Sequence, residues 1–109
     1  MIEVNEYVRT KNGIIDKVIN SNFYMSIYVE CEKGLYLIEN IVKHSKQLID
    51  LIEIGDYVNG HLVEEVRISC FDSSIFVHEY AIELHENDIK TILTKEQFEA
   101  NCYKVGGEE

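Results

Sequence analysis

The sequence predicts a mainly β fold of the β-rich α+β class: a small SH3-like, partly open antiparallel barrel or curled sheet with one or two short helices. Short apolar–polar alternations and Gly-containing turn signals between them support this class. A third observation is an internal echo, in which residues 4–18 (VNEYVRTKNGIIDKV) return at 52–66 as IEIGDYVNGHLVEEV. Each copy predicts a strand, a tight turn and a returning strand, and two such ribbons over one core build a small barrel.

The chain has 109 residues, of which 46% are apolar. This length buries about two-thirds of the unfolded surface around one core and excludes two domains on size. We therefore expect a single domain over residues 1–109, with residues 106–109 (GGEE) as a flexible tail.

The first ribbon turns at Lys11-Asn12-Gly13, and its register is open. A two-residue Asn-Gly turn pairs Val8 with Lys17, whereas a three-residue loop pairs Val8 with Asp16. The two registers place different side chains on the buried face, because the side-chain period of a strand is two.

The second ribbon turns at Asn59-Gly60. A strict two-residue turn would pair Ile54 with Glu65, which separates the polar and apolar faces poorly. A β-bulge near Val63 or Glu64 would restore the separation.

The clearest strand covers residues 23–30 (FYMSIYVE), which alternate apolar and polar side chains. Residues 32–34 (EKG) suit a three-residue hairpin loop with Gly in the left-handed position. That register pairs Val29 with Leu37 and places three tyrosines on the outer face of the hairpin, either packed under another strand or forming a contact patch: Tyr24, Tyr28 and Tyr36.

Residues 44–52 (HSKQLIDLI) predict a short helix capped by Ser45, or else an extended buried run. Residues 66–71 and 75–84 predict strands joined around Asp72-Ser73-Ser74. Residues 85–93 predict a turn and then a strand.

The spacing of Thr94 and Gln97 is that of a capping box. A helix over residues 95–101 (KEQFEAN) should follow, with Phe98 as its buried residue. Residues 102–105 (CYKV) should return as a last strand.

Acidic residues outnumber basic ones by 20 to 10, which gives a net charge of −10. The excess is concentrated in residues 51–109, which carry 13 acidic and 4 basic residues. Direct nucleic-acid binding is disfavoured, because phosphate contacts need clustered Lys and Arg. A partner protein with a basic surface is favoured.

No catalytic, metal or cofactor site is predicted. His78 and His85 are seven residues apart and lie on opposite faces of a strand, so we expect a packed His78 and an exposed His85. A set of Ser73 or Ser74 with His78 and Asp72 lacks a nucleophile elbow and an oxyanion hole. Glycine-rich phosphate loops are absent from the sequence.

The three cysteines, Cys31, Cys70 and Cys102, suggest neither a disulfide framework nor a zinc site, and reduced core thiols are expected. The first ten residues lack the features of a secretion signal, and no apolar run spans a bilayer. These features predict a cytoplasmic protein without membrane association.

The densest acidic stretch could be a solvated face or a surface that imitates nucleic-acid phosphates in a basic channel. We predict that it binds a partner, together with the acids of the second ribbon and the outer tyrosines. The candidate partner-binding residues are Glu53, Asp56, Glu64, Glu65, Glu79, Glu83, Glu86, Asp88, Tyr24, Tyr28 and Tyr36.

Residues 7–18, 42–60 and 91–105 (YVRTKNGIIDKV, VKHSKQLIDLIEIGDYVNG and TILTKEQFEANCYKV) resemble small phage and prophage proteins of low-GC Gram-positive bacteria. The resemblance implies a context in which small acidic proteins often inhibit host defences, anti-CRISPR proteins among them. It favours a non-enzymatic protein that binds and inhibits a host protein with a basic nucleic-acid-binding surface, in the host cell cytoplasm.

Two alternatives remain open. One is an oligomer that sequesters a nucleotide signal, with Lys43, Lys46 and Arg67 meeting phosphate. The other is a structural virion component with a large apolar interface and stable homo-oligomers.

Overall fold

A computed structural model describes residues 2–21, 27–78, 81–103 and 105–106. Five strands form a first sheet: β1 Tyr7–Thr10, β2 Ile15–Asn20, β3 Tyr28–Cys31, β4 Gly34–Leu37 and β5 Ile41–Ser45. Five more form a second sheet: β6 Tyr57–Val58, β7 His61–Arg67, β8 Ser74–Val77, β9 Ile82–Leu84 and β10 Ile92–Leu93. The helix α1 covers Lys95–Asn101, and short 3-10 turns cover Ile38–Asn40, Leu48–Leu51 and Glu86–Asp88.

The predicted mainly β class is confirmed, since strands make up 42% of the structure and only one α-helix is described. Both sheets are antiparallel, with the orders β4-β3-β2-β1-β5 and β10-β6-β7-β8-β9. Within the described residues neither sheet closes into a barrel.

The two sheets share one topology. In each, four strands follow one another as hairpins, a 3-10 turn comes next, and the fifth strand pairs with the first. The echo in the sequence marks the start of each sheet, because Tyr7-Val8 opens β1 and Tyr57-Val58 opens β6. The repeated sequence therefore encodes a repeated sheet.

The expectation that both ribbons share one core is wrong, because each sheet has a buried cluster of its own. Their side chains are Ile2, Val8, Val18, Val29 and Cys31 in the first cluster, and Ile49, Ile52, Val58, Val63, Ile75 and Val77 in the second. The molecule is correspondingly flat, with extents of 45 × 45 × 18 Å.

The first hairpin uses the three-residue loop, because Val8 pairs with Asp16. Gly13 adopts a φ of 83°, which is cheap only for glycine. A Cβ at this position would lie 2.3 Å from Oγ1 of Thr94, so the turn and the start of α1 are in close contact.

The second hairpin has the predicted two-residue turn, with Asn59 and Gly60 at φ values of 54° and 84°. A bulge does fall at Glu64, where the register between Val63 and Glu65 shifts, but not in the pairing of β6 with β7 for which it was predicted. It lies in the pairing of β7 with β8, which is the side of β7 away from β6.

The register of the hairpin of β3 and β4 differs from the predicted register by one residue. Its turn has two residues, Glu32 and Lys33, and pairs Val29 with Tyr36. A one-residue shift moves side chains to the opposite face, so Tyr36 lies on the inner face while Tyr28 stays exposed. The N-terminal part of the predicted strand, including Tyr24, lies outside the described residues.

Two predicted strands in the second half are shorter than expected. Strand β7 ends at Arg67, so residues 68–71 belong to a loop. His78, with a φ of 54°, directly follows β8 and begins the turn to β9. His78 is exposed, so the prediction of a packed histidine is wrong; its ring lies 4.0 Å from that of His61.

The predicted helix over residues 95–101 is confirmed, with Thr94 accepting a hydrogen bond from the Gln97 amide. Phe98 is 42% exposed and stacks on Tyr57, so the prediction that it is buried is wrong. Among the described residues of 102–105 no strand forms, so the predicted last strand is not found there.

The predicted helix after β5 is only the 3-10 turn Leu48–Leu51, and Ser45 does not cap it. Ser45 ends β5 and donates to the Asp50 carboxylate instead. Across the described parts of the chain, no helix is long and apolar enough to cross a bilayer.

Candidate functional site

A buried arginine joins the two sheets. Arg9 of β1 has no exposed surface, and its guanidinium donates to both carboxylate oxygens of Asp56, at 2.5 and 3.0 Å. It also donates to the Leu51 carbonyl at 2.9 Å and to the Glu96 carboxylate of α1 at 2.7 Å. Burial would lower the pKa of Arg9, but the bonds to Asp56 and Glu96 raise it, so the guanidinium is charged.

Asp56 is fully buried, so the prediction that it faces a partner on the surface is wrong. Besides Arg9, its carboxylate accepts hydrogen bonds from the amides of Glu53 at 2.8 Å and Lys95 at 3.0 Å. The matching acid of the first copy, Glu6, is also buried and lies 2.5 Å from Nδ1 of His44. The acid before Tyr-Val thus has a structural position in both copies.

Glu53 is half-buried and lies among three cations. Its carboxylate is 2.8 Å from Lys95, 3.2 Å from Lys43 and 3.7 Å from Arg9. Burial alone would raise the pKa of this carboxyl. The hydrogen bond from Lys95, the charge of Arg9 and the contact with Lys43 outweigh burial, so the pKa is lowered. Its charge is compensated within the molecule, which makes it a poor partner for an external cation.

Two acids of the late stretch stabilise turns. Glu86 accepts the amides of Leu48 and Ile49, at 3.0 and 2.8 Å, and so holds the start of the 3-10 turn Leu48–Leu51. Asp88 accepts the amide of His85 at 2.9 Å. The expected continuous carboxylate wall is therefore absent from the described residues; Glu79 lies outside them.

Tyr36, a predicted contact residue, has a structural environment. Its hydroxyl donates to the buried Asp16 carboxylate at 2.9 Å, and burial followed by this bond raises its pKa to about 12. Burial likewise raises the pKa of the Cys31 thiol to about 11. Both groups belong to the first core.

The remaining acids gather on the outer face of β7, β8 and β9. Glu65, Phe76 and Glu83 are direct cross-strand neighbours and form one row. Arg67 bonds to Glu65 at 2.9 Å, and its guanidinium lies 4.8 Å from the centre of the Phe76 ring. Glu64 beside them is half-buried.

A loop at residues 68–73 borders this face and presents Phe71, which is 95% exposed. Serine hydrogen bonds hold the loop: Ser73 Oγ donates to the Ser69 carbonyl and accepts its amide, while Ser69 Oγ accepts the Phe71 amide. Ile68 is also exposed, at 62%. An aromatic side chain held in water on an ordered loop is a feature of contact surfaces.

His85 connects the loop to the strands. Its ring lies 3.0 Å from Asp72 and 3.6 Å from Glu83, and the bond to Asp72 raises the pKa of the imidazole. We call the exposed and half-exposed residues of this loop and strand row the Phe71 face: Glu65, Phe71, Asp72, Glu83 and His85. Sequence reasoning proposed Glu65 and Glu83 but missed Phe71, because a lone aromatic in a predicted strand suggests packing.

Three residues were predicted to bind nucleotide phosphate: Lys43, Lys46 and Arg67. Each forms an ion pair with a different acid within the molecule. Lys43 pairs with Glu53, Lys46 with Glu3 at 3.3 Å, and Arg67 with Glu65. In the part of the chain that the structure describes, no cluster of His, Cys, Asp or Glu has a metal-binding arrangement.

No protein family, curated protein or solved structure matches this chain.

Proposed function

We propose that this protein is a non-enzymatic, phage-type binding protein that inhibits a host protein in the host cytoplasm, and that the Phe71 face makes the contact. The observation that carries the proposal is the exposure of Phe71, at 95%, on a loop whose backbone is already ordered. A phenylalanine side chain has few rotatable bonds, and on a hydrogen-bonded backbone it loses little conformational entropy on binding while it buries a large apolar area.

The partner is proposed to be a host protein with a basic, nucleic-acid-binding surface, as for an anti-CRISPR protein. The charge of −10, with the carboxylate of Asp72 next to Phe71 in the chain and that of Glu83 linked to Asp72 through His85, favours such a surface and would steer the encounter. Interfaces of this kind combine a central aromatic anchor with a charged rim.

The test is a quantitative pull-down from host cells with wild-type protein and Phe71→Ala. Recovery of the partner should fall at least about tenfold with Phe71→Ala, since anchor residues contribute about 2 kcal/mol or more. Tyr103→Ala is the matched control, because Tyr103 is 88% exposed, follows α1 in the chain and is not a member of the Phe71 face. Its recovery should equal that of the wild type.

A charge reversal tests the rim. Glu83→Lys should weaken recovery more at low salt than at high salt, whereas Glu39→Lys, an exposed acid of the first sheet region, should not. A partner that is retained equally by Phe71→Ala and Glu83→Lys would overturn the proposed face. Absence of any specifically enriched protein would overturn the proposed function.

A further inference from the structure

A cleft of about 430 Å³ lies between the two sheets, on the side of β1 and β2 that faces away from the first core. One wall is the outer face of this hairpin, with Tyr7, Ile15 and Lys17. The other wall is the segment 89–92, which leads into β10. A second hollow of about 250 Å³ continues it towards α1 and shares Ile15 and Ile92. The volume of the first cleft, about 430 Å³, is in the range of small-molecule sites.

Three lysines line the cleft: Lys17, Lys33 and Lys90. Among the described basic residues, these three and Lys11 form no ion pair, whereas Arg9, Lys43, Lys46, Arg67 and Lys95 do. Acids outnumber bases twofold in this protein, so most lysines should find an acidic partner. Three lysines without an ion pair in one cleft are therefore unexpected. The amine of Lys17 lies 5.7 Å from the centre of the Tyr7 ring.

Two acids, Asp16 and Glu32, also line the cleft and offset part of the lysine charge. The Asp16 carboxylate is buried and accepts the amides of Lys17 and Lys33 and the hydroxyl of Tyr36. Glu32 is exposed at the rim. Three lysines against these two carboxylates leave the cleft with a formal excess of one positive charge, on a protein that is strongly negative overall.

The wall that carries Lys90 is held in place by the second hairpin turn. The side-chain oxygen of Asn59 accepts the amides of Lys90 and Thr91, at 2.7 and 3.1 Å, and its amide group donates to the Asp88 carbonyl. The backbone amide of Asn59 also donates to the Thr91 carbonyl at 2.9 Å. The backbone at Lys90 is thus fixed relative to the second hairpin turn before any ligand arrives.

We propose that this cleft binds a small phosphorylated molecule of the nucleotide class. Lysine ammonium groups bind phosphate as point charges, and three of them on facing walls suit more than one phosphate. The half-buried Tyr7 ring with Ile15 and Ile92 offers an apolar surface on which a base can stack. The site is distinct from the Phe71 face and does not depend on the function proposed for it.

The test is calorimetry of the whole chain against ATP, a cyclic dinucleotide, tripolyphosphate and adenosine. At least one of the two nucleotides should bind, tripolyphosphate should bind more weakly, and adenosine should not bind. The variant Lys17→Gln/Lys33→Gln/Lys90→Gln should weaken nucleotide binding at least about tenfold. Lys90→Gln alone should also weaken nucleotide binding. Because the Lys90 side chain is exposed, this single variant should fold and can be measured even if the triple variant unfolds.

Lys11→Gln is the matched control, because Lys11 is exposed, has no ion pair among described residues and lies outside the cleft. It should bind like the wild type. Tyr7→Leu should weaken the nucleotide but leave tripolyphosphate unchanged, which separates the ring from the phosphates. Silence of every phosphorylated probe up to about 1 mM, or equal binding by the triple variant, would overturn the proposal. Tighter binding of a single-stranded oligonucleotide than of any nucleotide would also overturn it.

Discussion

Arg9 and Asp56 are 47 residues apart in the chain and form the most buried ion pair of the described structure, with side-chain exposures of 1% and 0%. Arg9→Met should destabilise the fold by about 3–5 kcal/mol, because it leaves the Asp56 carboxylate buried with only its backbone donors. Urea unfolding measures this loss. Arg67→Met, which breaks an exposed pair, should destabilise the fold far less than Arg9→Met. Similar losses for the two variants would contradict the assigned role of Arg9.

The cysteines should react unequally with a thiol reagent. The expectation of three core thiols holds only for Cys31, since Cys70 is exposed on the loop beside Phe71. Cys70 should react rapidly, whereas Cys31, buried and with its pKa raised to about 11, should react only on unfolding. Mass spectrometry of the modified peptides reads the order, and early labelling of Cys31 would contradict its burial.

At the scale of residues, the sequence predicted what local spacing determines. Thr94 was recognisable as a helix cap because the residues that it serves follow within one turn. The burial of Asp56 was not predictable, because its partner Arg9 comes from the other copy of the echo. An acid before Tyr-Val in both copies was the available signal, and it indicated a structural position more than a contact surface.

At the scale of elements, the turn at Gly13 carries the contact between the first hairpin and α1. The Thr94 hydroxyl donates to the Gly13 carbonyl at 2.6 Å, and Gly13 leaves no room for a side chain there. Gly13→Ala should therefore destabilise by more than Gly60→Ala, since Gly60 shares the positive φ but has nothing within 4 Å of a new Cβ. The difference in urea midpoint measures the close approach, and equal midpoints would contradict it.

The network around Glu53 makes stability depend on pH. The pKa of Glu53 is lowered from its ordinary value of 4.5, so its contribution is complete above that value and is lost as pH falls through the folded pKa. The gap in unfolding free energy between wild type and Glu53→Gln should thus be larger at neutral pH than at acidic pH. Glu39→Gln, at an exposed glutamate outside the network, should give no such pH-dependent gap. A gap for Glu53→Gln that stays constant on acidification would contradict the pairing.

Strands and helix were largely predictable, and registers were not. The two-residue Asn-Gly turn was recognisable because both residues accept positive φ. Glu32-Lys33-Gly34 is compatible with loops of two or three residues, and burial of Tyr36 against Asp16 decides between them. That contact joins residues 20 positions apart and leaves no mark on the local pattern.

At the scale of the whole molecule, the internal echo allows two arrangements of the strands, and local sequence patterns do not distinguish between them. A ribbon can pair with its twin or with the strands that follow it, and the same apolar residues are buried in either case. In the structure each ribbon pairs with its own later strands, which gives two sheets with one topology. The cleft and the Arg9 network both lie where these sheets meet.

The most direct test of this repeated architecture is the set of backbone contacts between strands in solution, read from nuclear Overhauser effects. The account predicts that β1 contacts β2 and β5, that β6 contacts β7 and β10, and that the first and second ribbons show no strand pairing with each other. Cross-strand contacts between β1 or β2 and β6 or β7 would contradict it, because they would place both copies of the echo in one sheet.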